Sequence, residues 1–308
     1  MKPCVLITGA SGMLGRNLID HPLAANYTIL SPGRDQLDLK NYNEVAGYLA
    51  EFRPDVIIHA AGRVGGIQAN IQYPVEFLID NLDMGKNILL AARETGIQKV
   101  LNIASSCMYP REAVNPLEEK LILTGELEPT NEGYALAKIL VARLSDYLVR
   151  EDPTLHFKTI IPCNLYGKYD KFLPQHSHLV AAVIDKVYKA RQSGLKEIEI
   201  WGDGTARREF MFAADLADFI WQHLDRIHEL PQLLNVGYGT DYSVNEYYQL
   251  VAEALNFDGH FAHNIERPVG MKQKLMSNRG VTVLGWKPMT TLKEGIIKTI
   301  DYYVSIYG

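Results

Sequence analysis

Short apolar runs that alternate with helical patterns, a glycine-rich turn directly after the first run, and a looser second half predict an α/β fold: a doubly wound parallel sheet with a smaller α/β C-terminal domain. The runs Val5–Thr8, Thr28–Leu30, Val56–His59, Val100–Ala104 and Thr159–Ile161 are continuous rather than alternating, as strands buried on both faces are. Between them Gly15–Asp20, Tyr42–Phe52, Asn81–Thr95 and Asn131–Arg150 carry helical spacing, so the strands are expected to run parallel. After about Leu165 the alternation loosens, with helices expected at Leu179–Arg191, Ala214–Ile227, Val244–Leu255 and Leu292–Tyr303. Leu233–Val236 reads as a strand able to rejoin the first sheet.

The 308 residues are 47% hydrophobic, enough for a large core, and 31 basic and 36 acidic residues leave a net charge of −5 without long single-sign blocks. That balance argues against a nucleic-acid groove or a membrane-attracting patch and favours small-molecule chemistry. Cys4, Cys107 and Cys163 are far apart and odd in number, with no metal-ligand spacing, so neither a metal nor a disulfide framework is expected. The start runs straight into a strand pattern, and no apolar run approaches the ~20 residues that span a bilayer. A cytoplasmic protein is the expectation.

Gly9-Ala10-Ser11-Gly12-Met13-Leu14-Gly15 lies between the first strand and first helix, where glycines let backbone approach a pyrophosphate at a helix N-terminus. Such a turn also serves simply to pack a helix on a strand; its place in a βαβ series is what points to a dinucleotide. The second strand ends in Leu30-Ser31-Pro32-Gly33-Arg34, with Arg34 where an NAD site would hold its ribose hydroxyls on an acid. A guanidinium pairs with a 2′-phosphate, so NADP(H) is expected, with NAD(H) the lesser alternative because Asp35 and Asp38 follow closely. Asp38-Leu39 is placed to meet the adenine, and Ala60-Ala61 and Pro162-Cys163-Asn164-Leu165, at strand ends, the nicotinamide half. Asn81 reads equally as a buried amide or a cofactor contact. Residues 1–165 are thus expected to form a Rossmann-type cofactor domain rejoined by about 212–237, with 166–308 mainly binding substrate.

Tyr134-Ala135-Leu136-Ala137-Lys138 puts a phenol and an ammonium at i and i+4, on one helix face. A tyrosine near pKa ~10 needs nearby positive charge to exchange protons near neutrality, and Lys138 supplies it. Ser105 ends the fourth strand, where its hydroxyl is able to bond a substrate carbonyl beside Tyr134; the bland alternative is that Ser105 and Ser106 only cap the strand end.

These residues resemble the GDP-L-fucose synthase family, the GDP-4-keto-6-deoxy-D-mannose epimerase/reductases of the extended short-chain dehydrogenase/reductase superfamily. The likeness runs over nearly the whole chain, through Arg63-Val64-Gly65-Gly66-Ile67-Gln68-Ala69-Asn70, Ser105-Ser106-Cys107-Met108-Tyr109-Pro110, Glu128-Pro129-Thr130-Asn131-Glu132, Ser177-His178 and Trp201-Gly202-Asp203-Gly204-Thr205. The resemblance implies NADPH-dependent 3,5-epimerisation and 4-keto reduction of a GDP-sugar, with Cys107 and His178 exchanging protons and Ser105, Tyr134 and Lys138 supporting hydride transfer. It also implies substrate contacts from Ser106, Asn164, Lys186, Trp201 and Arg208, and a homodimer. His176 and Arg207 are the confounders of His178 and Arg208.

The chain departs from the family pattern at Ser11, where a basic residue is usual, at Gly133 for Pro, at Lys186 for Arg, and along Lys168–Pro174. These changes keep open a 4-ketoreductase or epimerase on a related GDP-hexose or GDP-heptose. A non-enzymatic redox sensor is the alternative of another class, distinguished by tight dinucleotide binding without turnover.

Overall fold

Val5, Leu6 and Ile7 have no exposed surface, because the strand they form has a neighbour on each edge and helices on each face. In the computed structural model, which describes residues 2–173, 177–267 and 270–308, the chain begins with β1 (Cys4–Thr8), α1 (Met13–Asp20), β2 (Thr28–Leu30), α2 (Tyr42–Phe52) and β3 (Val56–His59). Next come α3 (Ile67–Gln72), α4 (Pro74–Glu94), β4 (Lys99–Ile103), α5 (Glu132–Glu151), β5 (His156–Pro162) and β6 (Asn164–Tyr166). The remainder holds α6 (Leu179–Ser193), β7 (Glu197–Trp201), β8 (Arg207–Arg208), β9 (Phe210–Phe212), α7 (Ala213–His223), β10 (Leu233–Val236), β11 (Tyr242–Ser243) and α8 (Val244–Ala254). It ends with β12 (His260–Asn264), β13 (Gln273–Lys274), α9 (Arg279–Val283) and α10 (Leu292–Tyr307).

The main sheet has six strands in the order β10-β5-β4-β3-β1-β2, every pair parallel. Leu6 pairs with Leu30 on one side and Ile57 on the other, and the chain passes from one flank of β1 to the other between β2 and β3. The crevice for a ligand opens at such a reversal, beyond the strand C-termini. Alternate side chains feed two cores: Leu6, Ile57 and Val100 meet α2, α4 and α5, while Val5, Ile7 and Ile58 meet α1 and α7. Another core joins α6, α8 and α10 to β7 and β9 around Ile184, Ile200, Phe212, Tyr247 and Ile296.

Boundaries shift where a local signal misleads. Helix α4 opens at Pro74, seven positions before the expected Asn81, because a proline at the first helical position loses only an amide that has no helical partner. Helix α7 stops at His223 and is followed by a single turn at Ile227–Glu229, where one continuous helix is expected from sequence. Strand β5 extends the expected Thr159–Ile161 at both ends.

The α4–α5 contact depends on Gly85: a Cβ there would lie 2.5 Å from Cγ2 and 2.7 Å from Cγ1 of Val141. Gly85→Ala is expected to lower stability by about 1–3 kcal/mol despite its better helix propensity. In the double variant Gly85→Ala/Val141→Ala most of that loss should disappear; a denaturant double-mutant cycle showing simple additivity would refute the contact as the cause.

Candidate active site

Gly9 adopts φ +70°, and a Cβ there would come within 2.7 Å of the Ala61 backbone. At Gly15 a Cβ would sit 2.3 Å from the Gly9 carbonyl oxygen, so β1, α1 and the end of β3 approach as closely as backbone allows. Gly12 stands just before Met13 and Leu14, its amide donating to Gly9 O at 2.9 Å, while Ser11 is exposed beside it. Thr8 Oγ1 meets His59 Nδ1 at 2.9 Å and accepts from Ala61 N at 3.3 Å, which fixes Ala60-Ala61. Burial, with Lys138 nearby, lowers the His59 pKa to about 3, so this imidazole is neutral. Asn81 is the buried amide of the two readings: it accepts from Arg63 N and donates to Phe77 O and Arg63 O, clamping the loop beyond β3. Arg34 and Asp38 are exposed beyond β2, and Leu39 is partly buried with its carbonyl held by Asn87.

Helix α5 delivers Tyr134 and Lys138 to the end of β4. The Lys138 ammonium donates to Ile103 O at 3.0 Å and lies 5.8 Å from the Tyr134 ring centre. Burial lowers the Lys138 pKa to about 8, with the Cys107 sulfur acting in the opposite direction. Burial, then the Cys107 charge, pushes the Tyr134 phenol well above its ordinary value, against the hydrogen bond it shares with Ser105. Ser105 Oγ also accepts from Cys107 N at 3.3 Å, so Ser105 both caps its turn and faces Tyr134; Ser106 beside it is buried. Cys107 Sγ receives Asn131 Nδ2 at 3.3 Å and the Lys274 ammonium at 3.8 Å. Asn131 Oδ1 is buried without a partner among the described residues, an acceptor open to a ligand donor.

The other wall comes from the second half. His178 precedes α6, its pKa lowered by burial and then by Lys171 and Lys274. Pro174, Gln175 and its confounder His176 lie outside the described residues. Pro162 ends β5, and Asn164, next to the partly buried Leu165, donates to Glu209 O. Arg208 is largely enclosed, its guanidinium near the Glu128 carboxylate, whereas Arg207 is bound to Asp241 and Glu246. Lys186 donates to Glu199 O, two residues before Trp201, whose Nε1 meets Glu199 Oε1 at 3.0 Å with Arg267 over its ring at 5.3 Å. The indole is a surface feature rather than core, 43% exposed. A cavity of ≈ 380 Å³ bordered by Arg111, Glu128, Lys272 and Gln273 adjoins this wall.

Sequence reasoning missed Lys274 and Glu209. Nothing local marks Lys274, which meets Cys107 across 167 positions of chain. Glu209 reads as part of an Arg-Glu-Phe motif, yet it is a buried carboxylate that accepts from Gly239 N at 2.7 Å and Met276 N at 2.9 Å.

A glycine loop at the point where the strand order reverses, with Tyr134, Lys138 and Ser105 at the end of β4, defines a dinucleotide-binding enzyme of the extended short-chain type. The chain belongs to the NAD dependent epimerase/dehydratase family, whose model matches residues 5–237, and within it to the GDP-L-fucose synthase group. It is 49% identical over 301 residues to a GDP-L-colitose synthase of Yersinia pseudotuberculosis, covering 98% of both chains. It is 46% identical to a GDP-L-fucose synthase of Azorhizobium caulinodans, covering 98% of this chain and 96% of the other. Among solved structures, a GDP-mannoheptose C4 reductase from Campylobacter jejuni with NADP bound superposes with a TM-score of 0.89 at 27% identity over 98% of each chain.

The pH dependence follows from Lys138. The ammonium beside Tyr134 carries its charge only below a pKa of about 8, so an activity that uses this charge is expected to lose kcat/KM as pH rises through about 8. A pH–rate profile flat from 7 to 10 would contradict that assignment. Gly15→Ala should weaken NADPH binding at least tenfold by opening the loop, with the circular dichroism spectrum kept; fluorescence titration measures it.

Proposed function

We propose that this protein catalyses the NADPH-dependent 3,5-epimerisation and 4-keto reduction of GDP-4-keto-6-deoxy-D-mannose, or of a close analogue, using NADP(H) as cofactor. The observation that carries this reading is that Cys107 shares one site with Ser105, Tyr134 and Lys138: its amide donates to Ser105 Oγ at 3.3 Å in the turn that follows β4, and Lys138 donates to Ile103 O at the end of that strand. A thiol beside the carbonyl-binding hydroxyls fits a base that removes a proton from carbon.

The crowded backbone at Gly9, Gly12 and Gly15 fits a dinucleotide pyrophosphate, with Met13 and Leu14 amides at the start of α1 as donors. Arg34 is the candidate for the 2′-phosphate, Asp38 and Leu39 border the adenine, and Ala60, Ala61, Pro162, Asn164 and Leu165 line the nicotinamide end. When bound, NADPH supplies the hydride that reduces C4. Residues up to 165, with β10, form the cofactor half, and the rest mainly receives the sugar nucleotide, through Lys186, Trp201 and Arg208.

A ketone at C4 acidifies the C–H bonds at C3 and C5. Cys107 takes the proton from one face while Tyr134 and Ser105 donate to the developing enolate oxygen. His178 returns a proton to the opposite face and inverts the centre. In the reduction Tyr134 donates its proton to the C4 oxygen, and Lys138 stabilises the phenolate left behind.

The 49% identity to a GDP-L-colitose synthase favours a second reading, in which the same site acts on a related GDP-hexose. Incubation with GDP-4-keto-6-deoxy-D-mannose and NADPH in deuterated water separates the two. Inverted centres carrying deuterium at C3 and C5 in a reduced product support the first. NADPH oxidation without deuterium there makes the enzyme a simple reductase, and no oxidation redirects the search to another sugar. Cys107→Ser and His178→Asn should each lower exchange by about 10²–10⁴-fold.

A homodimer completes the proposal. Val75 and Ile79 on α4 are 66% and 46% exposed, and Leu140 and Tyr147 on α5 are 48% and 53% exposed. Their i, i+4 and i, i+7 spacing makes apolar stripes suited to a helical bundle across a two-fold axis. Sedimentation should give twice the 34.6 kDa chain mass; a single species of monomer mass ends this part.

A further inference from the structure

We propose that Lys274 is the counter-cation that holds Cys107 as the thiolate base, and that Glu209 is the residue that positions it. The inference rests on the epimerase reading above and adds residues to it. The Lys274 ammonium lies 3.8 Å from Cys107 Sγ, within reach of a charge-assisted hydrogen bond to sulfur. Asn131 Nδ2, the other donor to Sγ at 3.3 Å, carries no charge.

Cys107 has to remove a proton from carbon, and only the thiolate does so. The proton passes to Sγ, the C–H electrons enter the enolate, and Tyr134 and Ser105 donate to its oxygen. A fixed cation beside the sulfur favours the anion from which this step starts. On the groups that face Cys107, Tyr134 and Lys138 come from α5, Ser105 from its own turn, Asn131 from the segment before α5, and Lys274 from β13. Lys138 is the competing cation: it donates one hydrogen to Ile103 O and its ammonium also feels the sulfur, so Lys138→Met is the comparison that separates the two lysines. Lys274 also faces His178, together with Lys171, so the same ammonium disfavours the imidazolium. His178 hands its proton to the second face and is reprotonated from solvent.

Lysine is a flexible side chain, so its usefulness depends on what holds β13. Glu209 does this with one carboxylate: an oxygen accepts from Met276 N at 2.9 Å, two residues beyond Lys274, and the other from Gly239 N at 2.7 Å. Leu117 adds backbone bonds to Leu275 O and Ser277 N. Glu209 touches neither Cys107 nor the reacting carbons in this arrangement; it acts through Lys274.

The test is alkylation of the whole enzyme by iodoacetamide between pH 5 and 10, read at the Cys107 peptide by mass spectrometry. Cys163 is buried and Cys4 serves as an internal control. Lys274→Met should raise the pH midpoint for Cys107 by about one unit or more and slow alkylation at neutral pH about tenfold. Lys274→Arg should restore the midpoint. Glu209→Gln, with its folding checked by NADPH binding, should move it in the same direction by less. An unchanged midpoint in Lys274→Met, or a larger rise in Lys138→Met, overturns the proposal. Because alkylation needs no sugar, these outcomes stand apart from the substrate assay: turnover with an unmoved midpoint sinks only the Lys274 role, and a moved midpoint without turnover sinks only the substrate. If Lys274→Met does not fold, Glu209→Gln and Lys274→Arg decide alone, the proposal failing if Glu209→Gln leaves the midpoint in place.

Discussion

Removing an ammonium from water costs several kcal/mol unless its hydrogens find acceptors, and Lys138 meets that cost by donating to the carbonyl of Ile103, the last residue of β4. The bond, a charge-assisted one worth ~1.5–3 kcal/mol, fixes the height of α5 against the sheet edge. Tyr134 lies one turn earlier on the same face, and Ser105 and Cys107 follow Ile103 in the chain, so one contact sets the spacing of all four side chains. Burial leaves the ammonium poised near neutrality, with a pKa of about 8. Gly62 belongs to the same arrangement, since a Cβ there would stand 3.1 Å from Asn81 Oδ1 and 3.6 Å from Lys138 Nζ.

Charge is divided across the cleft. The sheet edge gathers Ser105, Cys107, Tyr134 and Lys138, while the second half contributes further cations and an imidazole: Lys274, Arg208 and His178. Glu209 joins the halves, since its backbone carbonyl accepts from Asn164 beyond β5 and its carboxylate holds both Gly239 beyond β10 and Met276 before α9. Its burial raises the carboxyl pKa to about 7, partly offset by the amides that donate to it. A carboxylate kept in such a place is a liability for stability that makes sense when the segments it joins must stay in register.

How much of this was legible in the sequence depends on range. The parallel sheet, the glycine loop and the Tyr134/Lys138 pair are written in local spacing, and strand–helix alternation carries them without further help. Helix α4 is the local failure: Pro74 has the same identity whether it breaks a helix or opens one, and the preceding short α3 hides the pattern. Lys274 and Glu209 were illegible for a different reason. Their meaning lies in partners far along the chain, and a lone lysine in Gln273-Lys274-Leu275 has no periodicity to mark it. Asn81 was legible only as two alternatives, which three hydrogen bonds to neighbouring backbone resolve in favour of a clamp.

The segment from Lys168 to Pro174, the largest departure from the family pattern, is tied at its start to the first helix. Lys168 and Tyr169 turn away from Cys107 toward α1: both bind the Asp20 carboxylate, Arg16 covers the Tyr169 ring at 3.6 Å, and Asn17 donates to Lys168 O. Tyr169 holds φ +72°, a conformation that costs a non-glycine residue about 1 kcal/mol or more and that these contacts over-determine. The substituted residues thus fasten the loop to the helix whose first turn carries the glycine motif. What the loop turns inward is Asp170, whose carboxyl is raised to about 7 by burial and keeps one oxygen without a partner among the described residues, while the exposed Lys171 reaches His178 only through its charge. The outward half answers to α1, and its constraints are met without any substrate.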